Sequence, residues 1–208
     1  MRRTTLVAVS AALLLAAGCG VSDNAPRPGV AAQVDGATLS LSTLDDVVDA
    51  ICTATAADPQ GQATTRGNVA TQQVANWIRS QALIQYAAQH DLASPRSVRD
   101  LSTVVPGWDQ LTDDQRSALE TLSEDSEQAD AISKDPGASD VTPSDFDIVV
   151  NPRFGLDMGE TGFKNVDTDL SVPVSSQALA GAAQPTAEQL AALPASEICG
   201  RLSAQPAG

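Results

Sequence analysis

The sequence indicates a mainly α-helical protein with a small antiparallel β-sheet built from an N-terminal hairpin and one late strand. Near the start, the run QVDGATLSLSTLDDVVDAIC, residues 33–52, contains two apolar stretches around an Asp-Gly turn, followed by a helical pattern. Apolar residues at helical spacing recur through the middle of the chain. The run FDIVV, residues 146–150, then has the composition of a short strand and stops at an Asn-Pro pair.

The hairpin is predicted from residues 30–34 and 37–41, which flank Asp35-Gly36. Asp-Gly is a frequent pair in two-residue hairpin turns, because both turn positions require a positive φ. FDIVV is the natural third strand for this hairpin. Pairing of that kind would bring residues 146–150 back to the start of the domain.

The first helix is predicted to follow the hairpin directly. Ser42 with Asp45, or Thr43 with Asp46, has the spacing of a cap at its start. One face is apolar, because hydrophobic residues recur at i, i+3, i+4 and i+7. The residues of that face are Leu44, Val47, Val48 and Ile51.

Three further helices are predicted before the late strand. The second helix covers about residues 68–90, and a shorter one covers 95–104. Thr112 and Gln115 form a capping box for another long helix over about 113–133. The residues expected to point inward from that helix are Leu119, Leu122, Ala129 and Ile132.

The chain after the late strand has little periodicity. Residues 156–208 are interpreted as an irregular segment, partly packed on the domain, with a short capped helix from Thr186 to Leu193 and a disordered tail. The folded domain itself is assigned to residues 30–155, and no internal repeat is visible.

The first twenty residues have the pattern of an export signal. Two arginines precede an apolar run over residues 6–17, and small residues then lead to Cys19. The apolar run is too short to span a bilayer comfortably. Residues 1–18 are therefore expected to be a signal peptide, and residues 19–29 a flexible tether rich in proline and glycine.

The end of that apolar run resembles the lipobox of bacterial lipoproteins, in which the cysteine thiol carries diacylglycerol and the peptide is cut just before it. Ala16 stands where the pattern usually has leucine, and Leu15 lies one residue further back. The resemblance implies a protein anchored to the outer face of the cell membrane by lipid on Cys19. The alternative is an ordinary signal peptide cut near Ala17, with Cys19 left free.

The charge of the chain excludes one class of partner. The sequence has 12 Lys+Arg and 26 Asp+Glu, a formal net charge of −14, and loss of residues 1–18 would leave −16. Phosphate backbones repel such a protein, so nucleic acid is not an expected partner. Anionic lipid headgroups repel it too, so attachment to a membrane would depend on the covalent lipid.

The cysteines remaining after lipidation are Cys52 and Cys199. An even remainder outside the cytoplasm favours a disulfide between them, and two buried free thiols are the alternative. Metal binding is not predicted, because His90 is the only histidine and no CxxC pair occurs. A surface or capping position is the expected place for His90.

Catalytic motifs are absent from the sequence. It contains no GxSxG, HExxH, SxxK or glycine-rich phosphate loop. Asn165, Asp167 and Asp169 alternate like the start of a calcium loop, but Leu170 and Ser176 occupy positions that need glycine and glutamate. We therefore expect no enzyme activity and no cofactor.

Three segments, in this order, resemble the SurA N-terminal domain family: QVDGATLSLSTLDDVVDAIC, the helix with VANWIRSQALIQYAAQ, and DIVVNPRFG. The resemblance covers about residues 30–155. In that family, as in the peptide-binding part of trigger factor, a small hairpin leads into a helix, further helices build a cradle, and a late strand returns to the hairpin. Longer members carry a parvulin domain, but only about a dozen residues separate the helix over 113–133 from FDIVV, and a separate domain needs roughly a hundred.

The resemblance implies binding of unfolded or extended polypeptides outside the cytoplasm, as by a non-enzymatic, membrane-anchored holdase. Candidate client contacts are Trp108, Phe154, Met158 and Phe163, each of which could instead cover the core. The alternative function is that of a structural or adaptor lipoprotein that binds one specific envelope partner.

Overall fold

The structure is a computed structural model, and the residues it describes are 27–97, 99–142, 145–159, 162–165 and 185–202. The side chains of residues 157–159 and 162–165 lie outside this description. The description also leaves out the predicted signal peptide, Cys19, most of the tether and the tail after residue 202.

The sheet has three antiparallel strands in the order β2-β1-β4. Strand β1 spans Val30–Val34, β2 spans Ala37–Ser40 and β4 spans Ile148–Val150. Val34 lies opposite Ala37 on one side and Ile148 on the other. The described chain is mainly helical, so the predicted class, helices with a small antiparallel sheet, is confirmed.

The hairpin turn contributes more than the reversal of the chain. Asp35 and Gly36 have φ values of 46° and 94°, the conformation that Asp-Gly favours in a two-residue turn. The backbone N–H of Asp35 donates to the carbonyl of Asp147 at 2.9 Å. The Asp147 N–H donates to Oδ1 of Asp35 at 2.7 Å. One turn residue therefore extends the pairing between β1 and β4.

The first helix, α1, spans Leu41–Ala57, and its N-cap lies two residues before the first of the predicted caps, Ser42. Its N-cap is Ser40, the last residue of β2, whose hydroxyl oxygen accepts the Thr43 N–H at 3.0 Å. The predicted caps with Asp45 and Asp46 are therefore wrong. A serine at the strand end can satisfy the first N–H groups without any loop between strand and helix.

Two further long helices pack on α1 and on each other. Helix α2 spans Arg66–Gln89 and α3 spans Asp113–Ile132, close to the predicted ranges. The capping box of Thr112 and Gln115 is present at the start of α3. Gln81 of α2 bonds to Asp125 of α3, so the middles of the two helices lie together. Ala87 and Ile132 share a cluster at their ends, so α2 and α3 run in the same direction.

The predicted helix over 95–104 is wrong. The structure has only a 3₁₀ turn there, Leu101–Thr103, capped by the Asp100 carboxylate. The segment must return from the end of α2 to the start of α3, and Ser94 on the way is held by the buried Gln128 side chain. Few apolar residues of this segment face the core, so a continuous helix would have no face to bury.

The core lies between the sheet, α1 and α2. Its fully buried large side chains are Val34, Leu44, Val47, Val74, Ile78 and Cys199. The NPRFG segment closes one edge of this core. Asn151 donates from its side chain to the carbonyl of Val30, and the Thr71 hydroxyl donates to the carbonyl of Phe154. This segment therefore joins the late strand to β1 and α2.

The chain beyond residue 155 is more regular than the sequence indicated. Strands β5, Leu156–Gly159, and β6, Gly162–Asn165, form a separate antiparallel ribbon. A short helix, Ala187–Ala191, has the predicted capping box of Thr186 and Gln189. Strand β7, Ile198–Cys199, then pairs with β3, Thr64–Thr65. A two-stranded pairing needs backbone bonds more than a buried face, which explains why hydrophobic periodicity did not reveal it.

Candidate functional site

Three loops meet around the last turn of α1. A Cβ atom on Gly61 would overlap the carbonyl oxygen of Thr55. Gly200 has φ +85°, and a Cβ there would lie 2.8 Å from the Thr55 methyl group. Gly107 has φ +70°, and a Cβ there would lie 2.8 Å from Ala57 Cβ. Close approach and left-handed backbone at Gly107 and Gly200 both require glycine, so these loops are built against the helix end.

A cleft of about 460 Å³ opens between the loop after α1 and the C-terminal segment. Its volume is in the range of sites that bind small ligands or short peptide stretches. The described residues that line it carry no charge. They are Pro59, Gln60, Gly61, Gln62, Ala63, Pro185, Ala187, Leu190, Ala191 and Leu202. The lining is therefore uncharged and made in about equal parts of polar and apolar surface, with two amide side chains on one wall.

Leu202 marks the rim of this cleft. It is 42% exposed, although leucine loses free energy in contact with water. Among the described residues the other exposed large hydrophobic side chain is Val104, at 48%, and it does not line the cleft. Leu202 therefore adds one exposed apolar side chain to the rim of an uncharged cleft.

The two walls of the cleft are joined by the cysteine pair. Cys52 of α1 and Cys199 of β7 form a disulfide with their Cα atoms 4.3 Å apart and a sequence separation of 147. Beside it, Thr64 lies opposite Cys199 in the two-residue ladder. The pairing expected from the cysteine count is thus the one present in the structure.

Trp108 lies on another side of the same helix end. Gly107, its neighbour, packs on Ala57, which is about 200° around α1 from Thr55. Trp108 is half-buried, and the Arg116 guanidinium lies 5.9 Å from its ring centroid. Arg116 also donates from Nε to the Trp108 carbonyl at 3.3 Å. Trp108 is therefore held by α3 and does not line the cleft.

Phe154 is not available to a client, so the prediction that it contacts one is wrong. It is 7% exposed and belongs to the main core cluster. The 3₁₀ turn Pro152–Phe154, capped by Asn151, turns the ring inward. The Arg153 guanidinium then covers it at 4.8 Å from the ring centroid.

Met158 and Phe163 are Cα partners in the β5–β6 ribbon. Their side chains lie outside the described part of the structure, and so does Cys19, the predicted lipid-attachment residue. The predicted site residues are consequently spread over several places. The structure brings together only Cys52 and Cys199.

Among the described residues, two carboxylates have shifted pKa values, and neither lines the cleft. Burial raises the pKa of Asp125 on α3, while the charge of Arg96 and the hydrogen bond from Gln81 act against this rise. The Asp145 carboxylate accepts hydrogen bonds from the backbone and the hydroxyl of Thr142, and these bonds lower its pKa. The surroundings of Asp125 reflect the packing of α3, and those of Asp145 reflect a local turn.

His90 ends α2 as its C-cap residue, and its exposed ring lies 4.4 Å from that of Tyr86. In the described part of the chain, no group of three His, Cys, Asp or Glu side chains is placed to hold a metal ion. None of the described helices is long and apolar enough to cross a membrane.

Neither Leu202 nor the loop 59–63 was recognisable from the sequence as part of a binding cleft. The loop was visible as a polar stretch between two helices, but nothing in it signalled a partner. Cys199 could have indicated this site, because a disulfide from Cys199 to α1 also brings Leu202, three residues later, toward the end of that helix. Comparison of the chain with protein-family models, with curated proteins and with solved structures gave no match.

Proposed function

We propose that this chain is a non-enzymatic lipoprotein, held outside the cytoplasm by lipid on Cys19, that binds unfolded or extended polypeptides as a holdase. The observation that carries the proposal is the uncharged cleft at the end of α1 with Leu202 exposed at its rim.

The lining of the cleft suits an extended chain with small apolar side chains. Leu202 offers apolar contact, and the amides of Gln60 and Gln62 can both donate to and accept from a peptide backbone. Backbone contacts and uncharged walls select weakly between sequences, which is a requirement for a protein with many clients.

The position of the cleft also fits a tethered protein. The N–H of Leu41, at the start of α1, donates to the carbonyl of Gly29 at 2.8 Å, so the tether enters at that end of the helix. The cleft lies at the other end, about 25 Å away for a helix of 17 residues. A lipid on Cys19 would therefore leave the cleft on the side away from its attachment.

The resemblance to SurA N-terminal domains supports the same function. Their order of hairpin, helices and returning late strand is also the order of elements along this chain. Arg153 of NPRFG forms an ion pair with Asp45 at 3.7 Å, so this part of the resemblance concerns the construction of the domain rather than client contact.

A second candidate is an adaptor that binds one envelope partner. The small exposed apolar surface favours it, because Val104 and Leu202 are the only large hydrophobic side chains exposed among the described residues. Aromatic residues, which often dominate binding surfaces, make up only 3% of the chain.

Aggregation suppression separates the two functions. Light scattering of two unrelated denatured proteins would be followed with and without the chain from residue 20 onward, with its disulfide intact. A holdase suppresses both at near-stoichiometric ratios. An adaptor affects neither, and that result would reject the holdase function.

The cleft itself is tested with Leu202→Asp and the matched control Val104→Asp. Both substitutions place a charge at an exposed apolar position, but only Leu202 lines the cleft. We expect L202D to weaken client binding about tenfold, since loss of one leucine contact costs roughly 1.5 kcal/mol. V104D should bind like the unaltered chain. Equal binding by both variants would place the client elsewhere.

A further inference from the structure

We infer that the Cys52–Cys199 disulfide is a reducible bond that holds the C-terminal wall of the cleft in place, and that a dithiol opens it by attack at Cys52. This bond is called the clasp below. This inference rests on the proposed function for its biological meaning, because it concerns regulation of the same cleft. Its structural part can be measured without any client.

The C-terminal segment 185–202 has few other attachments to the domain. It is held by the two-residue ladder between β3 and β7, by a small apolar cluster, and by the packing of β7 and Gly200 on α1. The members of that cluster are Leu190, Leu193, Ala63 and Ile198. Within the described residues, no ion pair joins this segment to the helices. A ladder of this length is marginal alone, so the disulfide is the strongest link between the cleft walls.

The two sulfur-bearing residues differ in access. Cys199 is 0% exposed and belongs to the main core cluster, whereas Cys52 is partly exposed on α1. Thiol–disulfide exchange requires direct approach of a thiolate to one sulfur. Cys52 is therefore the more accessible of the two cysteines to an external thiolate.

A cation stands beside the accessible sulfur. Nη1 of Arg66 lies 3.8 Å from Cys52 Sγ, and the same guanidinium forms an ion pair with Asp49 one turn earlier on α1. A neighbouring arginine favours the thiolate over the thiol. Because that thiolate exists only after reduction, Arg66 stabilises the open, reduced state.

The exchange is balanced by two electrons from the dithiol. One thiolate of the dithiol attacks Cys52 Sγ, the Cys52–Cys199 bond breaks, and Cys199 leaves with the electron pair and takes up a proton. The second thiol loses its proton and attacks the mixed disulfide. Cys52 then leaves as a thiolate beside Arg66, and the dithiol becomes a cyclic disulfide.

Reduction should free the C-terminal segment and leave the helical domain folded. Apart from Cys199, the buried residues of the core cluster come from the sheet, α1, α2 and Phe154, all outside the segment that would be released. Part of the cleft lining comes from residues 185–202, so freeing the segment removes that wall.

The clasp is tested by hydrogen exchange of the full chain carrying Cys19→Ser, compared before and after treatment with dithiothreitol. We expect amide exchange in residues 185–202 to accelerate about tenfold or more on reduction, while the centre of α2 stays protected. The double variant C52S/C199S should match the reduced protein. Unchanged exchange in 185–202, or loss of protection throughout α2, would overturn the inference.

The entry point is tested by alkylation and by a matched pair of arginine variants. When the oxidised chain is attacked by glutathione and the freed thiol is at once alkylated with iodoacetamide, glutathione should be found on Cys52 and the alkyl group on Cys199, and the reverse pattern contradicts attack at Cys52. Arg66→Gln and Arg153→Gln each break an ion pair with an aspartate of α1, but only Arg66 contacts sulfur. In glutathione buffers, R66Q should lower the reduced-to-oxidised ratio about two- to fivefold, the effect of one part-exposed ionic contact. If R66Q and R153Q have the same reduced-to-oxidised ratio, Arg66 does not stabilise the reduced state.

Client binding is measured separately in both redox states. Binding only by the oxidised chain supports regulation of the cleft. Equal binding in both states, with the segment released, would refute the regulation and leave the holdase function standing. Absence of binding in both states would reject the holdase function and leave the clasp as a purely structural finding.

Discussion

Asp125 shows how a single carboxylate can be recognised as part of the packing rather than of a reactive site. Its pKa is raised chiefly by burial, against the opposing effects of Arg96 and Gln81. A folded pKa above the unfolded value means that the folded state holds the proton more tightly. The stabilising contribution of this group is therefore complete below the unfolded pKa and is lost as pH rises through the folded pKa.

Asp125→Asn is therefore expected to be at least as stable as the unaltered chain at pH 7. The asparagine carbonyl can still accept from Gln81 Nε2, and no buried charge remains. The advantage should shrink below about pH 4, near the ordinary pKa of aspartate. Urea unfolding at the two pH values measures this. Asp125→Leu, which leaves Gln81 unpaired, should cost about 1–3 kcal/mol. A D125N variant that is clearly less stable at pH 7 would contradict the role of burial.

Phe154 provides a second test at a single residue. Because it is in the core, Phe154→Ala should lower the free energy of unfolding by about 3–5 kcal/mol. Trp108→Ala should cost less, since Trp108 is only half-buried. Chemical denaturation of both variants measures the difference. If F154A lowered the free energy of unfolding only slightly and also weakened client binding, Phe154 would be a client contact, as the sequence indicated.

The β-hairpin and the late strand are coupled through one turn residue. Asp35→Ala removes the acceptor for the Asp147 N–H and places alanine at a φ of 46°. We expect a loss of about 2–4 kcal/mol from these two effects together. Asp35→Gly keeps the turn geometry but not the acceptor, so its loss should be smaller. Hydrogen exchange of Val149 should rise in both variants, and unchanged protection there would show that the turn does not hold β4.

Helix prediction succeeded where an element had both a cap and an apolar face. Helix α3 could be predicted from the sequence alone, because it has a capping box, Thr112 with Gln115, and an apolar face that includes Ile132. The predicted helix over 95–104 had Pro95 near its start but no face to bury. Local propensity favoured a helix there, whereas the contacts of Ser94 and the return path to α3 did not allow one.

The acidity of the chain has a consequence for the whole molecule. With a formal charge of −14 and only three ion pairs among the described residues, the fold contains unbalanced repulsion. Salt should therefore stabilise it, since the Debye length shortens from about 30 Å at 0.01 M to about 8 Å at 0.15 M.

The expected result is a melting temperature that rises by about 2–4 °C between these salt concentrations, equivalent to roughly 1 kcal/mol for a domain of this size. Thermal unfolding followed by circular dichroism measures it, with the disulfide intact in both samples. A lower melting temperature at the higher salt would mean that attractive ion pairs outweigh the repulsion.

Local chemistry let the chain alone predict the hairpin, the late strand and the long helices, and the cysteine count predicted the disulfide. A turn, a cap or an apolar stripe depends on residues within a few positions of one another, and such patterns can be read directly. The cleft could not be read in this way. Its walls come from loops on either side of a 147-residue separation, and they meet only because Cys199 reaches α1 and because Gly61 and Gly200 allow close approach to the helix end. Packing over that distance also made Phe154 a core residue and left Leu202 exposed, since burial depends on the neighbours supplied by the completed fold.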